Sequence, residues 1–181
     1  MISSLPDHNA TEFPQCPSDI EIKMLATGDR HRRLTAQIFV PAAVEQVWQT
    51  LTDYEGLADF IPSLSESRLV AHPKGGIRLE QIGSQSMLKF KFCARVVLDM
   101  IEHFPHQLNF EMVEGDFKTF KGSWLLQSAS NAASSDAPDG TQLIYSLTVC
   151  PSRIIPVRMI EQRLGNNLCE NLIAIRDRAI A

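Results

Sequence analysis

PVRMIEQRLGNNLCENLIAIRDRAIA, residues 156–181, closes the chain. Pro156 suits a helix start, because its missing N–H falls among donors that have no partner there anyway. Ile160, Leu164, Leu168, Leu172, Ile175 and Ala179 follow at steps of three and four, which places them on one helical face. Glu161, Arg163, Asn167, Asn171, Arg176 and Arg178 fill much of the remainder. At a rise of 1.5 Å per residue such a helix is roughly 35 Å long. A single long amphipathic helix needs a sheet to lie against. The expectation is a curved sheet wrapped around one helix.

The rest of the chain supplies that sheet. Residues 1–18 carry Pro6, Pro14 and Pro17 among polar residues without periodicity, and are expected to form a flexible N-terminal tail. Residues 19–181 then make one domain. Ile20, Ile22 and Met24 alternate weakly, and Arg33 to Val40 reads as a strand; Gly28-Asp29 between them signals a turn. Val44, Val47, Trp48 and Leu51 form a short helical stripe, and Leu57 to Ile61 a further turn stopped by Pro62. From Ser65 the period changes to two. Candidate strands are 67–71, 77–84, 89–101, 107–114, 117–127 and 142–149, separated by short turns that imply antiparallel hairpins. The insert 128–140, rich in Ser, Ala and Asn, reads as an enlarged hairpin tip. The fold class is α+β, an antiparallel sheet of about seven strands with two short helices after the first strand and one long closing helix.

Composition narrows the function. With 181 residues the chain can bury a sizeable core, and a formal charge of −4 argues against a nucleic-acid partner. Cys16, Cys93, Cys150 and Cys169 are far apart, which suggests buried thiols and neither a disulfide framework nor a metal site. No stretch has the apolar length of a membrane helix and no secretory leader is visible, so a cytoplasmic location is expected.

Val-Trp-x-x-Leu-Thr-Asp-Tyr (Val47 to Tyr54) with Phe60-Ile61-Pro62 resembles the early helices of the polyketide cyclase/dehydrase group, part of the START-like, helix-grip superfamily. Gly115-Asp116-Phe117-Lys118 running to Gly122-Ser123-Trp124 is similar to its second signature, and the end of the last helix (Asn171 to Ala179) to its third. The resemblance extends from about Val40 to Ala179. Mitochondrial coenzyme-Q-binding proteins, bacterial ribosome-association toxins and cyanobacterial and plastid "cyclase/dehydrase" proteins share these signatures. It implies the helix-grip fold, and a cavity for an apolar ligand.

Strand parity puts Phe90, Phe92 and Met100 in one row, Phe110 and Met112 in a second, Phe120 and Trp124 in a third, and Tyr145 in a fourth. With Phe60, Leu164 and Leu168 these are the candidate ligand-binding residues. Aromatic and Met side chains suit an apolar pocket, although a plain core has the same composition. Tyr145 is the polar group that parity turns inward, where a phenol needs a partner. Arg95 and Glu111 belong to the outer parity; only a bulge would turn Arg95 inward to hold a head group. His103 and His106 flank Pro105 as turn residues, and no metal ligand set is assigned. Asp53 and Glu55 read as exposed at a helix end.

The leading expectation is a non-catalytic binder or carrier of a hydrophobic small molecule such as a lipid, an isoprenoid quinone or a carotenoid. No catalytic residue and no cofactor is assigned. The turn with Leu57, Phe60 and Ile61 would serve as a lid, which leaves transient membrane contact open. An aromatase/cyclase enzyme is the alternative, and would need an acid or base inside the cavity. A ribosome- or protein-interaction module is the third reading, through Arg30, Arg32, Arg33, Arg153 and Arg158.

Overall fold

Alternating apolar side chains become a single antiparallel sheet in the order β1-β2-β8-β7-β6-β5-β4-β3. The computed structural model describes residues 16–87, 90–130 and 139–181, with the side chains of 84–87, 90–92 and 130 outside that description. The strands are β1 (Ile20–Ala26), β2 (Arg32–Val40), β3 (Leu64–Val70), β4 (Ile77–Met87), β5 (Phe90–His103), β6 (Gln107–Gly115), β7 (Phe117–Ser130) and β8 (Asp139–Pro151). The sheet has eight strands where about seven were expected, because weakly alternating β1 pairs along its whole length with β2, Ile20 opposite Ile38 and Ala26 opposite Arg32. The short helices α1 (Val44–Thr52) and α2 (Leu57–Phe60) therefore follow the second strand. Of the tail expected over 1–18, residues 1–15 lie outside the description, as does 131–138 of the expected hairpin tip.

Helix α1 buries the stripe Val44, Val47, Trp48 and Leu51. Its start is supported from the side: the Gln46 amide oxygen accepts the Ala43 N–H at 3.1 Å, half of a capping box. Helix α3 (Val157–Ile180) has Pro156 at its N-cap and buries Ile160, Leu168, Leu172, Ile175 and Ala179 of the expected stripe. The helix contacts α1, β2 and β1. Beneath it Leu34, Ile38, Leu143 and Val149 are wholly buried. The helix is thus supported at one end of the sheet, while β4 to β7 curve away from it.

The cysteine expectation is corrected here. Cys16 and Cys169 form a disulfide with Cα atoms 5.8 Å apart, tying the segment before β1 to the middle of α3. Cys93 and Cys150 are free thiols. The partners are 153 residues apart in the chain, so tertiary folding alone brings them together.

Candidate ligand cavity

Between α3 and the curving strands lies a cavity of about 250 Å³. One water needs about 10–15 Å³ of such space, so this is a chamber and not a packing fault. Its wall is laid down by strand parity. Leu79, Gln81 and Gly83 come from β4, Ala94, Val96, Leu98 and Met100 from β5, Leu108 and Phe110 from β6. Register makes these one surface, with Leu79 opposite Leu98 and Met100 opposite Phe110.

Aromatic rings form the next part of the wall. Trp124 packs on Tyr145 with ring centroids 4.3 Å apart, across the β7–β8 pair in which the two residues oppose each other. Phe110 stacks on the other side of Tyr145 at 6.0 Å and also meets Phe120, which in turn touches Phe117. A contiguous aromatic panel of this kind offers a broad apolar face of defined shape.

Of the residues singled out from sequence, Met100, Phe110, Phe120, Trp124, Tyr145, Leu164 and Leu168 are brought together in the lining. Phe90 and Phe92 lie on β5, and their side chains fall outside the description. Phe60 stands elsewhere: Leu57 of α2 and Ile61 just after it line the cavity, while the Phe60 ring lies under the Arg178 guanidinium at 5.6 Å. Met112 packs against the core at the end of the Phe110 row, with its sulfur beside Gly115, where β6 has one extra residue against β5.

The polar candidates separate by face. Arg95 stays outside, donating at 2.6 Å to both Glu80 and Glu114, and Glu111 is exposed beside Lys121. Tyr145 points inward as parity required. Burial pushes its phenol well above the ordinary range, so it stays protonated and can donate a hydrogen bond. Tyr54, another lining residue, is raised by burial and by its hydrogen bond to Glu102 at 2.5 Å.

Sequence periodicity missed the remaining polar groups. Arg163, Asn167 and Asn171 line the cavity from α3, joined by Ser63 and Gln81. The available signal was their own spacing of four, and the presence of two asparagines inside a helix they do not favour. Asn171 donates through Nδ2 to Ser63 Oγ at 2.8 Å. Its Oδ1 is buried without a hydrogen-bond donor.

The ion pairs outside the cavity set a pH limit on the scaffold. Hydrogen bonds from Arg95, and then Arg68, hold the carboxyl of buried Glu80 below the usual carboxylate range; Arg78 does the same for Asp99. A group whose pKa is depressed by folding stabilises the fold above its unfolded pKa, and that support is lost as pH falls through the folded value. Stability should therefore decline as pH drops below about 4.3, the unperturbed Glu value. Glu80→Gln should flatten this acid limb in urea unfolding curves recorded between about pH 3 and 6.

Residues 40–175 match the family model described as polyketide cyclase / dehydrase and lipid transport. The chain belongs to this family. Solved structures agree with the family on the fold. A STAR-related lipid transfer protein (fragment 25-204) of Xanthomonas axonopodis superposes with a TM-score of 0.70 at 15% identity, covering 96% of this chain and 98% of that one. The Zhui aromatase/cyclase of a Streptomyces species gives 0.63 at 16% identity, over 82% and 93% of the two chains. Human STARD10 gives 0.66 at 9% identity, over 95% and 72%. Among curated proteins none matches the sequence. The family member described here therefore has a START-like fold, an antiparallel sheet of eight strands with a long C-terminal helix. Among the described residues no helix is long and apolar enough to cross a membrane.

Proposed function

We propose that this family member binds and carries a hydrophobic small molecule, a lipid, isoprenoid quinone, carotenoid or similar compound, in the cavity between α3 and the sheet. The observation that carries this is the aromatic and aliphatic wall around a chamber of about 250 Å³. Burial of a ligand's apolar surface there is favourable at about 25 cal/mol per Å². Helix α2, which contributes Leu57 to the wall and is followed there by Ile61, would be the element that moves to admit the ligand, in transient contact with a membrane or another donor.

The chemistry of the lining supports a binder over a cyclase. Moving protons along a polyketide chain needs a group that accepts them. Among the described residues the lining holds no Asp, Glu or His. Tyr54 and Tyr145 are both pushed upward, which leaves them as neutral donors.

Native mass spectrometry of the protein purified from its own host, followed by solvent extraction, tests the proposal. A stoichiometric apolar compound is the expected result. If no compound co-purifies and apolar fluorescent probes fail to bind, the proposal fails. Trp124→Ala should weaken probe binding about ten-fold, since losing roughly 60 Å² of apolar contact at ~25 cal/mol per Å² is about 1.5 kcal/mol. Fluorescence titration of such a probe checks this.

A further inference from the structure

We propose that Asn171 on α3 recognises a hydroxyl group, and that the ligand is an apolar alcohol, a hydrocarbon or isoprenoid body ending in a neutral O–H. This inference rests on the cavity being the ligand site. It adds which end of the ligand is recognised, and by what.

Most polar side chains of the lining are already matched inside the protein. Arg163 and Asn167 have partners, Gln81 donates through Nε2 to Ser67 Oγ at 3.3 Å, and Tyr54 donates to Glu102. Asn171 is matched on one side only. Its Nδ2 donates to Ser63 Oγ at 2.8 Å, which holds the amide in one orientation, while its Oδ1 is buried with no donor. A buried carbonyl oxygen left in that state is costly. Ser63 Oγ accepts from Asn171, and so retains its own proton to give. An acceptor with a hydroxyl donor beside it complements an O–H, which gives one hydrogen bond and takes another.

The wall has room for such a group at this point. Ser63 precedes Leu64, which pairs with Gly83 across β3 and β4, and Gly83 opposes Ala94 on β5. Gly83 and Ala94 both line the cavity, beyond rows in which Leu79 opposes Leu98 and Gln81 opposes Val96. Two of the smallest residues thus face each other beside Ser63. A Cβ on Gly83 would come no nearer than 3.6 Å to any atom beyond its chain neighbours, so close backbone approach does not demand a glycine there. The missing side chain instead leaves a notch in the wall, next to the unmatched oxygen of Asn171. A cationic amine would also bring a donor, but among the described residues the lining holds no carboxylate to balance its charge. A neutral hydroxyl meets no such penalty, and the panel of Phe110, Trp124 and Tyr145 is left to cover the apolar body.

Dodecanol and its isomer methyl undecyl ether contain the same atoms, and the alcohol alone has an O–H. Their binding is measured by displacement of an apolar fluorescent probe. The alcohol should bind about five-fold more tightly, the usual weight of a neutral hydrogen bond. In Asn171→Leu, which keeps the size of the side chain, that preference should disappear, with ether affinity changed less than about two-fold. Ser63→Ala leaves Oδ1 in place and should retain part of the preference. Equal or tighter binding of the ether by the wild-type protein would overturn the hydroxyl site and leave the cavity as an apolar binder. Full retention of the preference in Asn171→Leu would overturn it as well. If neither isomer displaces the probe, both readings fall together. The comparison of isomers requires no substitution, so it decides the matter even where a variant does not fold.

Discussion

Gly122→Ala should fail to assemble the sheet at β7 and β8. Gly122 sits at the middle of β7, opposite Leu147 on β8 and Phe110 on β6. A Cβ at this position would lie 1.9 Å from the Ser146 carbonyl oxygen and 2.8 Å from Cζ of Phe110. The oxygen is backbone in a strand paired on both sides, by β2 and by β7, so it cannot retreat without opening a ladder. The Phe110 ring is already stacked on Tyr145. Overpacking of this severity should cost about 3 kcal/mol or more, with a fall in Tm of about 6–12 °C or insoluble expression. Circular dichroism melts measure it, with Gly28→Ala as the control, because there a Cβ would meet nothing nearer than 3.5 Å. A Gly122→Ala protein melting within about 2 °C of wild type would show that the sheet can spread at this point. Such a result would also remove the reason for a glycine in the middle of the aromatic wall.

Reduction of Cys16–Cys169 should have the second large effect. The bond closes a loop of 153 residues, nearly the whole domain. In the chain-entropy account a closure of that length stabilises by up to about 5 kcal/mol, and 2–4 kcal/mol is commonly realised. Reductant, or Cys16→Ser, should accordingly lower Tm by about 6–12 °C, and reductant should have no further effect on the variant. Equal melting of oxidised and reduced protein would mean that the bond contributes nothing in solution. Cys169 adjoins Leu168 of the cavity wall, so the same samples, titrated with an apolar probe, report whether the tether also holds the wall in place. Such a bond persists in oxidising surroundings and is lost in reducing ones, which makes the compartment relevant to stability.

Legibility followed the range of the interaction. Ile160, Leu168, Leu172 and Ile175 were readable because one turn of helix brings them onto one face whatever lies opposite. The inward placement of Met100, Phe110, Trp124 and Tyr145 was readable for the matching reason in strands, a period of two. Met112 shows where that reasoning stops, since an extra residue in β6 changes what the end of its row meets. Phe60 shows the same on a four-residue helix, too short for a periodic signal to choose between its sides.

A different reason kept Arg163, Asn167 and Asn171 from being singled out. Periodicity assigns the polar side of a helix to water, which holds when only one side of the helix is covered. Here the cavity is lined by Ile160, Leu164, Leu168 and Ile175 of the apolar stripe and also by Arg163, Asn167 and Asn171. Polar residues facing an enclosed chamber look, in sequence, like polar residues facing solvent.

Sequence alone therefore determined the elements, their order, the helix face that packs and the strand faces that turn inward, because each of these depends on repeats a few residues long. Tertiary structure alone decided that the chamber stays open, that a polar row of α3 lines it, and that Cys16 meets Cys169. Those features depend on how far the sheet curves away from the helix, and curvature is a sum over eight strands that no local pattern contains.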